Sequence, residues 1–231
     1  MQIDGTSAYF INIPAGLSGN PEDNLVIGSL AGNALTTGTR HTIIGHDAGS
    51  TITTANSNTI YGYEAAKGMA AGSDRNVVIG DMACRSNAGD DNVVIGSSAG
   101  TNFTSAVEDN VVIGSFAASN TVGSSGVIAI GSKAGRSNVA TGMVAVGFEA
   151  GRSNVGGNGR IDVGYKAGYT NTSGSWNTNI GYFAAYSNST GSRNVVLGTE
   201  AAHNNIGSDG VFLGYQFPFR NNYCNDFLDH T

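Results

Sequence analysis

A short apolar run closed by glycine returns twelve times along this chain, at Gly28, Gly45, Gly62, Gly80, Gly96, Gly114, Gly131, Gly147, Gly164, Gly181, Gly198 and Gly214. The intervals are 16, 17 or 18 residues and nothing else. A repeat this short cannot enclose a core of its own, so each copy buries its apolar face only against the copies stacked on it. The chain therefore reads as one array over residues 24–217. It is flanked by an N-terminal cap or attachment segment at 1–23 and a C-terminal cap or tail at 218–231. Abundant glycine, 35 residues, with only 12% charged residues fits a turn-rich repetitive fold better than an ordinary globular enzyme.

In stacked coils every aligned position becomes a ladder with rungs about 4.8 Å apart. The position before the glycine is aliphatic in eleven coils, from Ile27 to Leu213, with Tyr61 as the exception. The position two earlier holds Leu25, Val77, Val93 and their equivalents, with Thr42, Thr59 and Thr178 in three coils. These two columns share a strand face and are expected to form the core. Alanine stands three residues after the glycine in eleven coils, followed by Gly, Ala or Cys84. "VVIG" followed by "xxAG" predicts two short strands per coil, with a positive-φ corner at the glycine. Four residues before the glycine, Asn24, Asn58, Asn76, Asn92, Asn110, Asn177 and Asn194 predict a structural amide ladder rather than a ligand site.

The repeats "NVVIGSSAG", "GVIAIGSKAG" and "MVAVGFEAG" resemble the "NSVAIG" head repeats of trimeric autotransporter adhesins, and similar repeats occur in phage and large-virus fibre proteins. The resemblance covers about five-sixths of the chain. It implies an all-β, left-handed parallel β-roll of about twelve coils, assembled as a tight homotrimer. Two departures from the adhesins stand out. The chain opens on a Met without a secretion signal pattern, and it ends at "FPFRNNYCNDFLDHT" without heptads or barrel strands. The expectation is thus a virion or phage fibre segment, with the head of a bacterial surface adhesin as the alternative.

The column at mid-strand bears on assembly. It reads Val26, Ile43, Ile60, Val78, Val94, Val112, Ala129, Ala145, Asp162, Asn179, Val196 and Phe212. On the expectation that its neighbours form the core, this column faces outward. Such a long apolar stripe demands a cover. Val78, Val94, Val112, Ala129 and Ala145 are then the trimer interface, with the axis near Val94 and Val112. Asp162 becomes a candidate axial ion site, since threefold symmetry would gather three carboxylates unless Arg160 pairs with it. The competing reading is a coil so narrow that both strand faces are partly internal.

Chemistry is sparse. Asp47 and Glu64 occupy one column in consecutive coils at a spacing that suits a retaining glycosidase pair, yet the column continues as Lys133, Glu149 and Lys166, the pattern of a charge ladder. His46 and Ser50 make a nucleophile and base only on paper. No phosphate loop, catalytic residue, cofactor or enzyme activity is expected. The net charge of −6, with 11 basic residues scattered singly, argues against nucleic acid, and no 18-residue apolar stretch suggests membrane insertion. Cys84 and Cys224 match no zinc spacing and lie too many coils apart for an intrachain bridge. Tyr165, Tyr169, Trp176, Tyr182, Phe183 and Tyr186 break the monotony as a candidate glycan or partner surface. Sequons at Asn102, Asn171 and Asn188 would count only in a secreted eukaryotic product. The expected role is structural: a rigid spike on a virion or extracellular surface, joined to other virion or fibre proteins through its termini and offering a surface to a host glycan or protein. A polysaccharide-degrading spike and an ice-binding solenoid are weaker alternatives, because the array has no long insertions and its Thr residues at 51, 53 and 54 are local.

Overall fold

A computed structural model describes residues 24–86, 89–103, 107–138, 140–204 and 207–215; both flanking segments and Cys224 lie outside the described residues. The chain forms an all-β parallel solenoid of about eleven turns, with no helix among the described residues. Its strands are β1 (Leu25–Ile27), β2 (Thr42–Ile44), β3 (Thr59–Tyr61), β4 (Val77–Ile79), β5 (Val93–Ile95), β6 (Val111–Ile113), β7 (Ile128–Ile130), β8 (Val144–Val146), β9 (Ile161–Val163), β10 (Thr178–Ile180), β11 (Val195–Leu197) and β12 (Val211–Leu213). They make one parallel sheet in chain order. The register is column on column, so Val93, Val94 and Ile95 pair with Val111, Val112 and Ile113.

Each strand is brief because the backbone on either side of it turns through positive φ. The residue five before the glycine, such as Arg75, Asp91 or Trp176, sits at φ 57–60° and feeds the chain into the strand. The glycine ends the strand at φ between 119° and 140°. Two residues on, a non-glycine residue such as Glu64, Lys133 or Lys166 is left-handed again, at 49–57°. A left-handed non-glycine residue costs on the order of 1–2 kcal/mol. Inter-coil hydrogen bonds made from that conformation offset the cost: the Glu64 N–H donates to His46 O and the Lys166 N–H to Phe148 O, both at 2.9 Å. The "xxAG" segment is therefore a turn, and each coil has one strand where the sequence suggested two. The strand-ending glycine is required by contact as well as by φ. A Cβ on Gly96 would lie 2.7 Å from the carbonyl carbon and oxygen of Gly114 in the next coil.

The strand faces are the reverse of the sequence expectation. Val78, Val94, Val112, Ala129 and Ala145 are fully buried inside the single chain, so this mid-strand column is the core of the coil and not a surface open to a second subunit. The columns on either side point out: Leu25, Tyr61, Ile128, Ile161, Val195, Leu197 and Leu213 are all exposed. The coil is narrow: a Cβ on Gly100 would lie 3.2 Å from both Val94 Cγ1 and the Phe103 ring across the interior.

The amide ladder forms as expected and points inward. Asn92 N–H donates to Asn76 Oδ1 at 3.0 Å, and Asn110 N–H to Asn92 Oδ1 at 3.2 Å. His41 substitutes for one rung. Its Nδ1 accepts from Asn58 N–H at 3.2 Å, and its Nε2 lies 2.7 Å from Ala55 O, which makes it a neutral imidazole with the proton on Nε2. Across the coil, a second interior column runs Leu35, Ile52, Met69 and Phe103, then becomes Thr121, Asn138, Asn154, Asn171 and Asn188. At that point the first ladder turns apolar, at Val127 and Met143. The first column then carries Arg160 and returns to amides at Asn177 and Asn194, so that from β9 onward both interior walls are polar.

Candidate functional site

Two surfaces and one buried cluster hold the residues that the repeat does not dictate. The first surface is the outward strand face. Its two columns run over all twelve strands, aliphatic except at Thr42, Thr59, Tyr61 and Thr178, in eleven steps of about 4.8 Å that give a strip about 53 Å long. With the columns two residues, about 6.6 Å, apart, the strip covers roughly 350 Å² between its centre lines, a single continuous patch of the size that commonly marks an interaction surface.

The second surface is a corner built by the residues one, two and five positions after the glycine. Phe148, Tyr165 and Tyr182 stack in consecutive coils with centroids 5.2 Å apart and planes within 15°. Tyr169, Tyr186 and His203 form a parallel stack at 4.9 and 5.0 Å. Phe183 joins the two stacks edge-on, 4.5 Å from Tyr182 and 5.1 Å from Tyr186. Five of the six aromatic residues singled out in the sequence thus meet. Trp176 does not: it lies on the corner before the strand, is 63% exposed, and packs over Gly159. Phe148 and His203 belong to the cluster and were missed, although their columns, one and five after the glycine, are those of Tyr165 and Tyr186. Because the rings stack along the coil axis, their faces cover one another and their edges face outward, which is poor geometry for a sugar ring to lie flat on them.

Cations border these rings. Lys166 Nζ sits 5.5, 5.3 and 5.8 Å from the centroids of Tyr165, Tyr169 and Phe183, within cation–π range. The Arg152 guanidinium lies 5.3 Å from the Tyr169 centroid and hydrogen-bonds its hydroxyl. Glu149 is ringed by Lys133, Arg152 and Lys166 at 3.7, 3.7 and 3.6 Å.

The buried cluster lies where β9 and β10 carry Asp162 and Asn179 in the mid-strand column. Arg160 and Asp162 are both fully buried and pair at 2.6 Å. The second carboxylate oxygen of Asp162 accepts from Asn179 Nδ2 at 2.7 Å, and Arg160 also donates to the carbonyls of Gly168 and Asn171. Burial pushes the Asp162 carboxyl up, while the guanidinium and the amide pull it back. Gly168 makes the room: a Cβ there would come within 2.5 Å of Arg160 Nη2 and closer still to Asp162, whereas Ala66, Ala118 and Ala185 fill the same position in other coils. Asp162 is thus an internal ion-pair member, not an axial metal ligand. Among the described residues no three His, Cys, Asp or Glu side chains gather as a metal site.

The remaining sequence candidates resolve into scaffold. Lys67 Nζ bridges Asp47 and Glu64, 2.9 Å from each, and Arg85 lies 3.2 Å from Glu64. The Lys67 hydrogen bond holds the Glu64 carboxyl below its ordinary range, opposite to what a general acid needs. Ser50 Oγ donates to Lys67 O, and His46 stacks on Tyr63 at 5.4 Å, so no nucleophile–base pair forms. Asn171 and Asn188 are buried, leaving Asn102 as the exposed sequon asparagine. No helix among the described residues is long and apolar enough to cross a membrane.

No family model, curated protein or solved structure matches this chain. The likeness to adhesin heads therefore rests on the repeat residues alone.

Proposed function

We propose that the chain is a structural fibre or spike segment: a stiff left-handed β-roll that functions as a homotrimer on a virion or other extracellular surface. The observation that carries this reading is the outward strand face, aliphatic in both columns in nine of the twelve strands. A globular partner would cover only part of so long a strip. A second stack with the same rise matches every rung, so further copies of this chain suit it along its whole length. The threefold arrangement is what the repeat resemblance implies. The stiffness has its source in the backbone, since each turn is tied to the next by hydrogen bonds at several corners.

Sedimentation or light scattering tests the assembly. Three 23.5-kDa chains should travel as one particle. Placing Asp at Ile95 and Ile113, which face outward, should leave the β-sheet signal intact and dissociate that particle. Asp at Val94 and Val112 should unfold the chain, because those side chains have no exit to water. A folded wild-type monomer, with the strip left bare, would overturn the proposal.

A further inference from the structure

The basic residues that look scattered along the sequence are gathered by the coil period. Lys133 and Lys166 stand two after their glycines, and Arg136 and Arg152 five after theirs, all on one corner within three successive coils. Four of the 11 basic residues of a chain with net charge −6 meet there, against one carboxylate, Glu149, which leaves a local excess of three positive charges. Two further features mark this corner as a binding site. Arg136 makes no ion pair among the described residues, and its Nε is buried without a hydrogen-bond partner. The contacts to Glu149 are long, 3.6–3.7 Å, so one nearly buried carboxylate is shared by three cations and satisfies none of them closely. The equivalent corner near β2 to β4 differs: there Asp47 and Glu64 balance Lys67 and Arg85.

We infer that this corner binds a linear anionic polysaccharide, carrying sulfate or carboxylate groups, laid along the coil axis. The cations form a row, with Lys133 and Lys166 two coils or about 10 Å apart, which suits spaced charges on a polymer better than a single compact anion. At one end of the row the tyrosines present ring edges and hydroxyls, groups that hydrogen-bond sugar hydroxyls. Their faces are occupied by one another, so the base stacking by which proteins hold single-stranded nucleic acid has no platform here. The site does not depend on the lateral assembly, because none of its cations lies on the outward strand columns.

Calorimetric titration of the full chain with a sulfated heparin oligosaccharide tests this inference, with neutral dextran, single-stranded DNA and poly-glutamate as comparison probes. Binding should weaken with salt and fall at least about tenfold in the Lys133→Glu/Arg136→Glu protein. The Arg40→Glu/Arg193→Glu protein, with the same change in net charge at distant exposed positions, should bind as wild type. Glu149→Gln should bind several-fold tighter, a gain that cations serving only as scaffold would not produce. Thermal melting of each variant shows that the fold persists, and sedimentation shows that assembly is unchanged. Absence of oligosaccharide binding, equal loss in the distant control, or equal or tighter binding of DNA or poly-glutamate would overturn the inference.

Discussion

Replacing Asp162 with Asn tests the most consequential feature of the interior. The change keeps the size of the side chain and removes one charge, which strands the Arg160 guanidinium in a site where both residues are fully buried. Breaking a buried pair from one side costs about 3–5 kcal/mol, since the remaining charge can neither be solvated nor, for arginine, be neutralised. For a chain of this length each kcal/mol moves the melting temperature by about 2–4 °C, so Asp162→Asn should melt roughly 6–20 °C below wild type. Melting is read by circular dichroism and by the fluorescence of Trp176, the one tryptophan, which enters β10 in the coil of Asn179. The companion protein Arg160→Met/Asp162→Val/Asn179→Val extends the apolar pattern already set by Val127, Met143 and Ala145 and should be at least as stable as wild type. A chelator should change neither, because both carboxylate oxygens are already occupied by protein donors. A melting temperature within about 2 °C of wild type for Asp162→Asn would refute the buried pair.

Gly114→Ala should cost more than about 4 kcal/mol and abolish soluble expression, since its Cβ would stand 2.6 Å from the Gly131 carbonyl; Gly142→Ala, left-handed but with open space around it, should cost only about 1 kcal/mol in a denaturant titration. Burial holds the His41 imidazole below its ordinary value. The unfolded chain then takes up the proton first, so stability is full above about pH 6.5 and falls below it, by at most about 1.4 kcal/mol per pH unit. His41→Asn, which restores the amide rung, should flatten melting curves recorded between pH 7 and 5; the Glu64, Asp91 and Asp209 carboxyls, all held low, lose their contribution only at more acid pH. The Cys84 thiol is buried and pushed up to about 12, so peptide mapping after maleimide treatment should find it unmodified in native protein and modified in denaturant. Native labelling of Cys84 would contradict its place in the interior.

All twelve strands sit where the spacing of glycines put them, and the Asn76–Asn92–Asn110 ladder was legible because a polar residue recurring with the coil has to be paired by the coil. Which strand face is inside was misread for a physical reason. In a three-residue strand such as Val93–Ile95 every side chain is apolar, so alternation carries no information. The deciding signals were elsewhere. Asn92 is two residues from Val94 and shares its face, so an inward amide ladder implies an inward mid-strand column. Thr42, Thr59 and Tyr61 in the flanking columns are residues that an exposed face tolerates. The left-handed residues at Glu64, Lys133 and Lys166 were not legible, because their conformation comes from the stack and not from local preference. Of the cationic corner, the ladder Lys133, Glu149 and Lys166 was legible as one column, but Arg136 and Arg152, three positions further along the turn, were not joined to it because only the folded corner brings the two columns together.

The interruption of the amide ladder at Val127, Met143 and Arg160 has a bearing on how such a rod can lengthen or shorten over generations. From β2 to β6 neighbouring coils present nearly interchangeable interiors, His41 or Asn opposite Leu35, Ile52, Met69 or Phe103. Excising residues 93–110 would join Asn92 to Val111 and let Asn92 Oδ1 take the place of Asn110 Oδ1 as acceptor for the Val127 N–H. The coils that hold Arg160, Asp162 and Asn179 offer less freedom, since the guanidinium and carboxylate are paired with groups of one particular turn and neighbouring strand. Exchange of repeats is thereby easiest among the N-terminal coils, whereas β9, its following turn and β10 share the buried Arg160–Asp162–Asn179 cluster and have to be gained or lost together.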